Sequence, residues 1–225
     1  MKKIIMSIIV IAMCSISAFS QNGPVKGSFG TEVQFNPFDQ NGEMFKLDGL
    51  KFRYFLTDKD ALRLKLGFAF GKQKLDSDDM SGYAKSGDFS IGLGYERHFR
   101  LLERLDLYAG GQIGYIRHFA SAETEMQVMD ETVTTEYKNM IPGDNGDPVD
   151  IAYNGLNLSA FTGLDFYVYK GLYIGTELGL YIDTNKTNEY EYHVSNQNPV
   201  KTDETVRTTS IKFNIEPTIR LGWTF

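Results

Sequence analysis

The residues with most chemistry to offer are charged side chains spaced one residue apart, Lys51 with Arg53 and Arg63 with Lys65. Glu32, Glu96, Asp106, Asp165, Glu177, Glu216 and Arg220 have a similar setting, each beside at least one apolar residue. In an extended chain, residues two apart project to the same side, so each segment carries its charges on one face. Faces of that kind, turned toward one another out of water, would form ion pairs; a charge left unpaired there is strongly destabilising. Hydrolytic chemistry would instead need a nucleophile, a histidine and an acid within hydrogen-bond reach. Ser90 and His98 share one face of a segment, but the eight residues between them span roughly 25 Å of extended chain, so no enzyme is expected. His118 and His193 fall in or beside long polar stretches. The stretch GDNGDPVD, Gly143 to Asp150, is dense enough in carboxylates to suggest calcium. Its spacing is not that of an EF-hand, and Gly, Asn, Asp and Pro are equally turn formers, so no metal and no cofactor is expected.

The elements that must position these charges are strands. In IKFNIEPTIRLGWTF the residues Ile211, Phe213, Ile215, Pro217, Ile219, Leu221, Trp223 and Phe225 occupy every second position. Such a period of two gives one apolar and one polar face. The pattern recurs in seven further segments, with bounds 25–35, 50–56, 62–70, 89–95, 105–115, 156–168 and 172–182. The connections alternate in length. Thr57 to Asp60, Arg100 to Arg104 and Tyr169 to Gly171 are short, whereas Asn36 to Met44, Lys72 to Asp88, His118 to Asn154 and Asp183 to Thr208 are long. Eight strands in up-and-down order place the first beside the last, and closing the sheet removes every edge. Pro217 cannot donate a ladder hydrogen bond, which predicts a bulge or local break in the last strand.

The chain begins MKKIIMSIIVIAMCSISAFSQNG, with Lys2 and Lys3 before an apolar run and Ala18-Phe19-Ser20 as a cleavage site. This predicts a signal peptide over residues 1–20 and a mature domain over 21–225. The only cysteine, Cys14, lies in the predicted signal, so the mature chain has no thiol. Without Lys2 and Lys3, 21 basic residues face 29 acidic ones, a balance that disfavours nucleic acid as a partner.

Which face points outward separates a membrane barrel from a soluble one that holds an apolar ligand. The polar face carries Gly67, Gly71, Gly92, Gly94, Gly110, Gly114, Gly163, Gly175 and Gly179 among its charges. A solvated exterior has no need of glycine in a strand, whereas a narrow interior must set small residues beside large ones. Aromatic residues gather at both ends: Phe99, Phe166, Tyr167, Tyr173, Trp223 and Phe225 near the short turns, and Phe35, Phe70, Phe89, Tyr115, Phe119 and Tyr181 near the long loops. Paired girdles are a membrane-barrel feature. Arg97 and Arg117 fall on the apolar face near strand ends, where long side chains reach the interface.

With its signal segment, eight alternating strands, unequal loops and the ending Trp223-Thr224-Phe225, the chain resembles the small outer-membrane barrel family seen in OmpX and the membrane domain of OmpA. The resemblance covers essentially 21–225. It implies an all-β, eight-stranded antiparallel up-and-down transmembrane β-barrel, located in a Gram-negative outer membrane. It also implies that Trp223 and Phe225 form the signal read by the outer-membrane assembly machinery. The expected protein is a monomer in outer-membrane lipid, its interior filled by the charge network and its long loops available to a surface partner. Alternation in Glu125 to Tyr137, and in Tyr190 to Val194 facing Val206 to Ile211, suggests hairpins that extend beyond the membrane. Such edges suit strand addition. The alternatives are a narrow pore for ions or very small solutes and a soluble, lipocalin-like binder.

Overall fold

The structure, a computed structural model, describes residues 23–35, 50–77, 80–128, 131–143, 146–195, 197–214 and 219–225. Its strands are β1 (Phe29–Phe35), β2 (Leu50–Phe55), β3 (Asp60–Ser77), β4 (Met80–Leu102), β5 (Leu105–Val128), β6 (Glu131–Lys138) and β7 (Met140–Pro142). They continue with β8 (Pro148–Ile151), β9 (Tyr153–Tyr169), β10 (Leu172–Thr187), β11 (Glu191–Val194), β12 (Val200–Lys201), β13 (Arg207–Asn214) and β14 (Ile219–Thr224).

Antiparallel pairing runs β1–β2–β3–β4–β5–β9–β10, and β10 then pairs β13 along its upper part and β14 along its lower part. β14 pairs β1, which closes a ring of eight staves. At the seam, the Phe29 amide donates to the Phe225 carbonyl at 2.8 Å and the Phe225 amide donates back to Phe29 at 2.9 Å. Lys170 and Gly171 both have positive φ, 37° and 85°, which makes the β9–β10 connection a two-residue turn of the hand that suits twisted strands.

The outward side of the ring is apolar. One cross-strand row reads Phe52, Leu64, Leu93, Ile113, Leu158, Ile182 and Ile211 on seven successive staves. Leu93 is 60% exposed and Ile211 is 71% exposed. The glycine-rich, charged face is inside, as its composition predicts, and Arg53, Glu96, Asp165 and Arg220 are at most 1% exposed.

Several expectations change. The long connections are largely strand: β3 and β4 remain paired from Asp60↔Arg97 to Ser77↔Met80, so most of 72–88 is hairpin. Tyr190 to Val194 does not face Val206 to Ile211. Instead, β11 pairs β6, with Glu191 opposite Lys138, and the 207–211 segment pairs β10. Tyr167 and Tyr173 belong to no girdle and are 1% and 0% exposed, because they share parity with the inward Asp165 and Glu177. Tyr181 likewise lies on the inward parity of Gly179. Phe99, Phe166, Phe70, Phe89, Tyr115, Phe119 and Trp223 do point outward. The expected signal segment, the 36–44 connection, Glu216 and the break at Pro217 lie outside the described residues. On either side of Pro217 the register shifts by two, from Asn214↔Gly179 to Arg220↔Gly175, which preserves the inward parity of Arg220.

Candidate functional site: a closed ion-pair layer

Neighbouring strands place like charges directly opposite each other inside the ring: Lys51 faces Lys65, Arg53 faces Arg63, and Asp106 faces Asp165. Such neighbours repel. The repulsion is relieved because long side chains cross the lumen to staves that are distant in the sheet.

Arg53 reaches Asp165 on β9 at 2.7 Å, and its Nε lies 2.7 Å from Glu96 on β4. Arg63 clamps Glu177 on β10 through two hydrogen bonds of 2.9 Å and also donates to Glu96 at 3.1 Å. Lys51 lies 2.7 Å from Glu32 and 3.2 Å from Glu177. Arg220 joins the first and last staves, donating to Glu32 at 3.0 Å and to Asp165 at 2.7 Å, and also to the Thr176 carbonyl at 3.0 Å. Four cations, Lys51, Arg53, Arg63 and Arg220, thus meet four carboxylates, Glu32, Glu96, Asp165 and Glu177, and all eight are buried.

Tyrosines close the gaps between the ions. Tyr108 donates to Glu177 at 2.5 Å, and Tyr173 donates to Glu32 at 2.9 Å. The guanidinium of Arg53 lies 4.7 Å from the Tyr108 ring centroid, and that of Arg63 lies 4.0 Å from the Phe161 centroid. His98 stacks on Tyr108 at 5.3 Å and contacts Glu96 at 3.3 Å. Glycines admit these large groups: a Cβ on Gly163 would strike the Tyr108 hydroxyl, and one on Gly175 would strike Asp165 and Arg220.

Of the residues expected from sequence, eight meet in this layer. Asp106 instead pairs with Arg100 at 2.5 Å near the short-turn end. Lys65 lines a cleft of about 190 Å³ toward the long-loop end, with Ser90, Gln112, Asn157 and Tyr181. Glu216 lies outside the described residues. Tyr108, Tyr167 and Tyr173 were missed, although their parity with the flanking charges marks them as inward. Ser90 and His98 stay apart along β4, on pairs with Gly67 and Tyr108 respectively. Of the 143–150 stretch, Asp144 and Asn145 lie outside the described residues, and Asp150 lies 2.9 Å from His118 Nε2, whose other ring nitrogen contacts Asp88 at 2.8 Å.

A scan against family models matches residues 34–225 to the putative OmpA-OmpF-like porin family. The chain belongs to that family. Membership, together with the outward apolar band, makes this OmpA-OmpF-like chain an outer-membrane protein. No curated protein matches it in sequence. Among solved structures, it is similar to the N-terminal β-barrel domain of Pseudomonas aeruginosa OprF, at 12% identity and TM-score 0.37, covering 90% of this chain and 100% of that one. It is also similar to Ail, the attachment invasion locus protein of Yersinia pestis, at 16% identity and TM-score 0.32, covering 89% of this chain and 100% of that one.

Above the membrane band, the OmpA-OmpF-like barrel carries its wall onward as a sheet. β5 pairs β6, β6 pairs β11 and β11 pairs β12, so two separate connections share one surface. The bond between them is partly electrostatic: Lys201 and Lys138 lie 3.2 and 3.3 Å from Glu191 and hold its carboxyl below the usual range. A depressed carboxylate contributes stability above its unfolded pKa and loses it as pH falls through the folded value. Acidification below the ordinary carboxylate range is therefore expected to lower the amide protection factors of β11 in wild type, measured against the intrinsic exchange rate at each pH, and Glu191→Gln should show that lower protection already at neutral pH. Equal protection at both pH values would remove Glu191 as the tie.

Proposed function

We propose that this barrel is a plugged, non-conducting platform that acts through the sheet it raises above the membrane. The reading is carried by the ion-pair layer, in which four cations and four carboxylates neutralise one another across a lumen only wide enough for side chains. Every stave contributes to that layer, β5 through Tyr108. Opening a water path would separate ion pairs that neutralise one another across the lumen, and a buried charge that loses its counter-ion costs several kcal/mol.

The surface role rests on β6, β11 and β12, which present a hydrogen-bonded, mostly polar face ending at the short edge strand β12. An edge of this kind suits a surface protein partner that adds a strand. Export through a cleaved signal over residues 1–20 and docking of the Trp223 to Phe225 end by the assembly machinery complete the proposal, with the barrel as a monomer.

Planar bilayers containing the purified protein test the plug. The expected record is silent, and opening is expected only when Arg53, Arg220, Glu96 and Asp165 are all replaced by alanine. Steady single-channel steps from wild type would favour the narrow-pore alternative and end the plug reading.

A further inference from the structure

The outward face changes character two steps beyond the apolar row described above. There the cross-strand row reads Arg207, Lys186, Asn154 and Arg117 on β13, β10, β9 and β5. Parity puts all four on the side that lower down carries Ile211, Ile182, Leu158 and Ile113. Four residues of tilted strand raise the row by roughly 10 Å above that apolar level, which is headgroup depth rather than hydrocarbon.

The charges of this row are not compensated. Lys186 and Arg207 are directly opposed, an arrangement that repels. Among the described residues neither they nor Arg117 has a carboxylate partner, and all three side chains are exposed. Lumen cations such as Arg53 and Arg220 and upper-sheet cations such as Lys138 and Lys201 each meet a carboxylate, whereas this outward run, set directly above the apolar band, meets none among the described residues.

A receiving surface adjoins it. A cleft of about 530 Å³ opens beside Lys186 and Asn154 and is lined also by Lys138, Asn139, Asn188 and Lys201. Its polar groups are fixed in place: Asn154 accepts from the Tyr115 hydroxyl at 2.6 Å and donates to Asn188 at 2.7 Å, and Asn139 donates to the Glu189 carbonyl at 2.8 Å. Lys138 and Lys201 share Glu191, and with Lys186 and Glu189 the lining carries three cations against two carboxylates, one net positive charge. Cations suit phosphates, and fixed amides suit sugar hydroxyls.

We propose that this row and cleft bind the phosphate-bearing sugar headgroup of a glycolipid whose acyl chains lie on the apolar band beneath. The site rests on the lipid-facing reading of that band but not on the plug. Neither acyl contact nor phosphate contact alone accounts for it, because the cations and the apolar residues lie on one continuous outward surface.

The test uses the full chain folded in detergent micelles, with native mass spectrometry counting bound lipid. Three probes are compared: a bisphosphorylated diglucosamine lipid A, its dephosphorylated form, and inorganic phosphate. The phosphorylated lipid should bind, and removing its phosphates or introducing Lys186→Glu with Arg207→Glu should weaken binding by about thirtyfold. Reversal of Lys59 and Lys170 at the opposite rim should change nothing. Should the reversed pair fail to show the heat-dependent gel shift of a folded barrel, Lys186→Gln with Arg207→Gln supplies the comparison. Equal binding of both lipids, or indifference to the substitutions, overturns the proposal. Displacement of the lipid by millimolar inorganic phosphate would mark a free-anion site and overturn it as well. A wild type that folds and binds lipid but conducts ions would overturn the plug and leave this site standing.

Discussion

Arg220→Leu is expected to destabilise the barrel by about 3–5 kcal/mol, because the substitution leaves carboxylates buried with too few cations. Arg220 is fully buried and lies 3.0 Å from Glu32 and 2.7 Å from Asp165. Asp165 would keep Arg53, but the four carboxylates Glu32, Glu96, Asp165 and Glu177 would then share only three cations, Lys51, Arg53 and Arg63. Adding Asp165→Leu restores equal numbers of each sign and should recover part of the loss, since balanced ions and apolar replacements are close in stability. Denaturant unfolding in lipid vesicles, followed by the single tryptophan Trp223 on the lipid side, measures both variants. A double variant no better than Arg220→Leu would show that packing, not charge balance, holds the layer together.

The second large effect is expected from Gly163→Val. The new Cβ would meet the Tyr108 hydroxyl and would also sit 2.6 Å from the Thr176 carbonyl, and backbone cannot swing aside. Displacing Tyr108 removes the donor to Glu177 and the ring that faces Arg53. Overpacking plus a lost hydrogen bond to a charged group should cost about 2–4 kcal/mol. The comparison is Gly111→Val on the opposite face, where the nearest obstacle is the Ser159 carbonyl at 3.5 Å, ordinary contact. That variant should unfold within about 1 kcal/mol of wild type, valine being favoured in strands. If the two valines behave alike, glycine in this wall reflects strand chemistry in general and not the fit of Tyr108.

The closed layer and the raised sheet stand in different relations to the sequence. Residue parity along a strand is a local property, set by the backbone, and it separates Arg53, Arg63, Glu96, Asp165, Glu177 and Arg220 from their apolar neighbours without any fold in view. The same parity identifies Tyr108, Tyr167 and Tyr173 as inward. Grouping two of them with the terminal aromatics misplaced them, since nearness to a strand end says nothing about the face. The upper sheet was only half legible. Alternation marks Glu125 to Tyr137 and Tyr190 to Val194 as extended, yet the pairing of β11 with β6 joins segments more than fifty residues apart, and nothing local selects that partner over Val206 to Ile211.

By itself, then, the chain's pattern of side chains determined a closed eight-stave sheet, its greasy exterior and the pool of charges available to its interior. Only the tertiary structure decided who pairs with whom. Strands adjacent in sequence set Arg53 against Arg63 and Lys51 against Lys65, pairs that repel. Closure and strand tilt carry each cation across the lumen to carboxylates on other staves, and those distances follow from the ring as a whole rather than from any one segment.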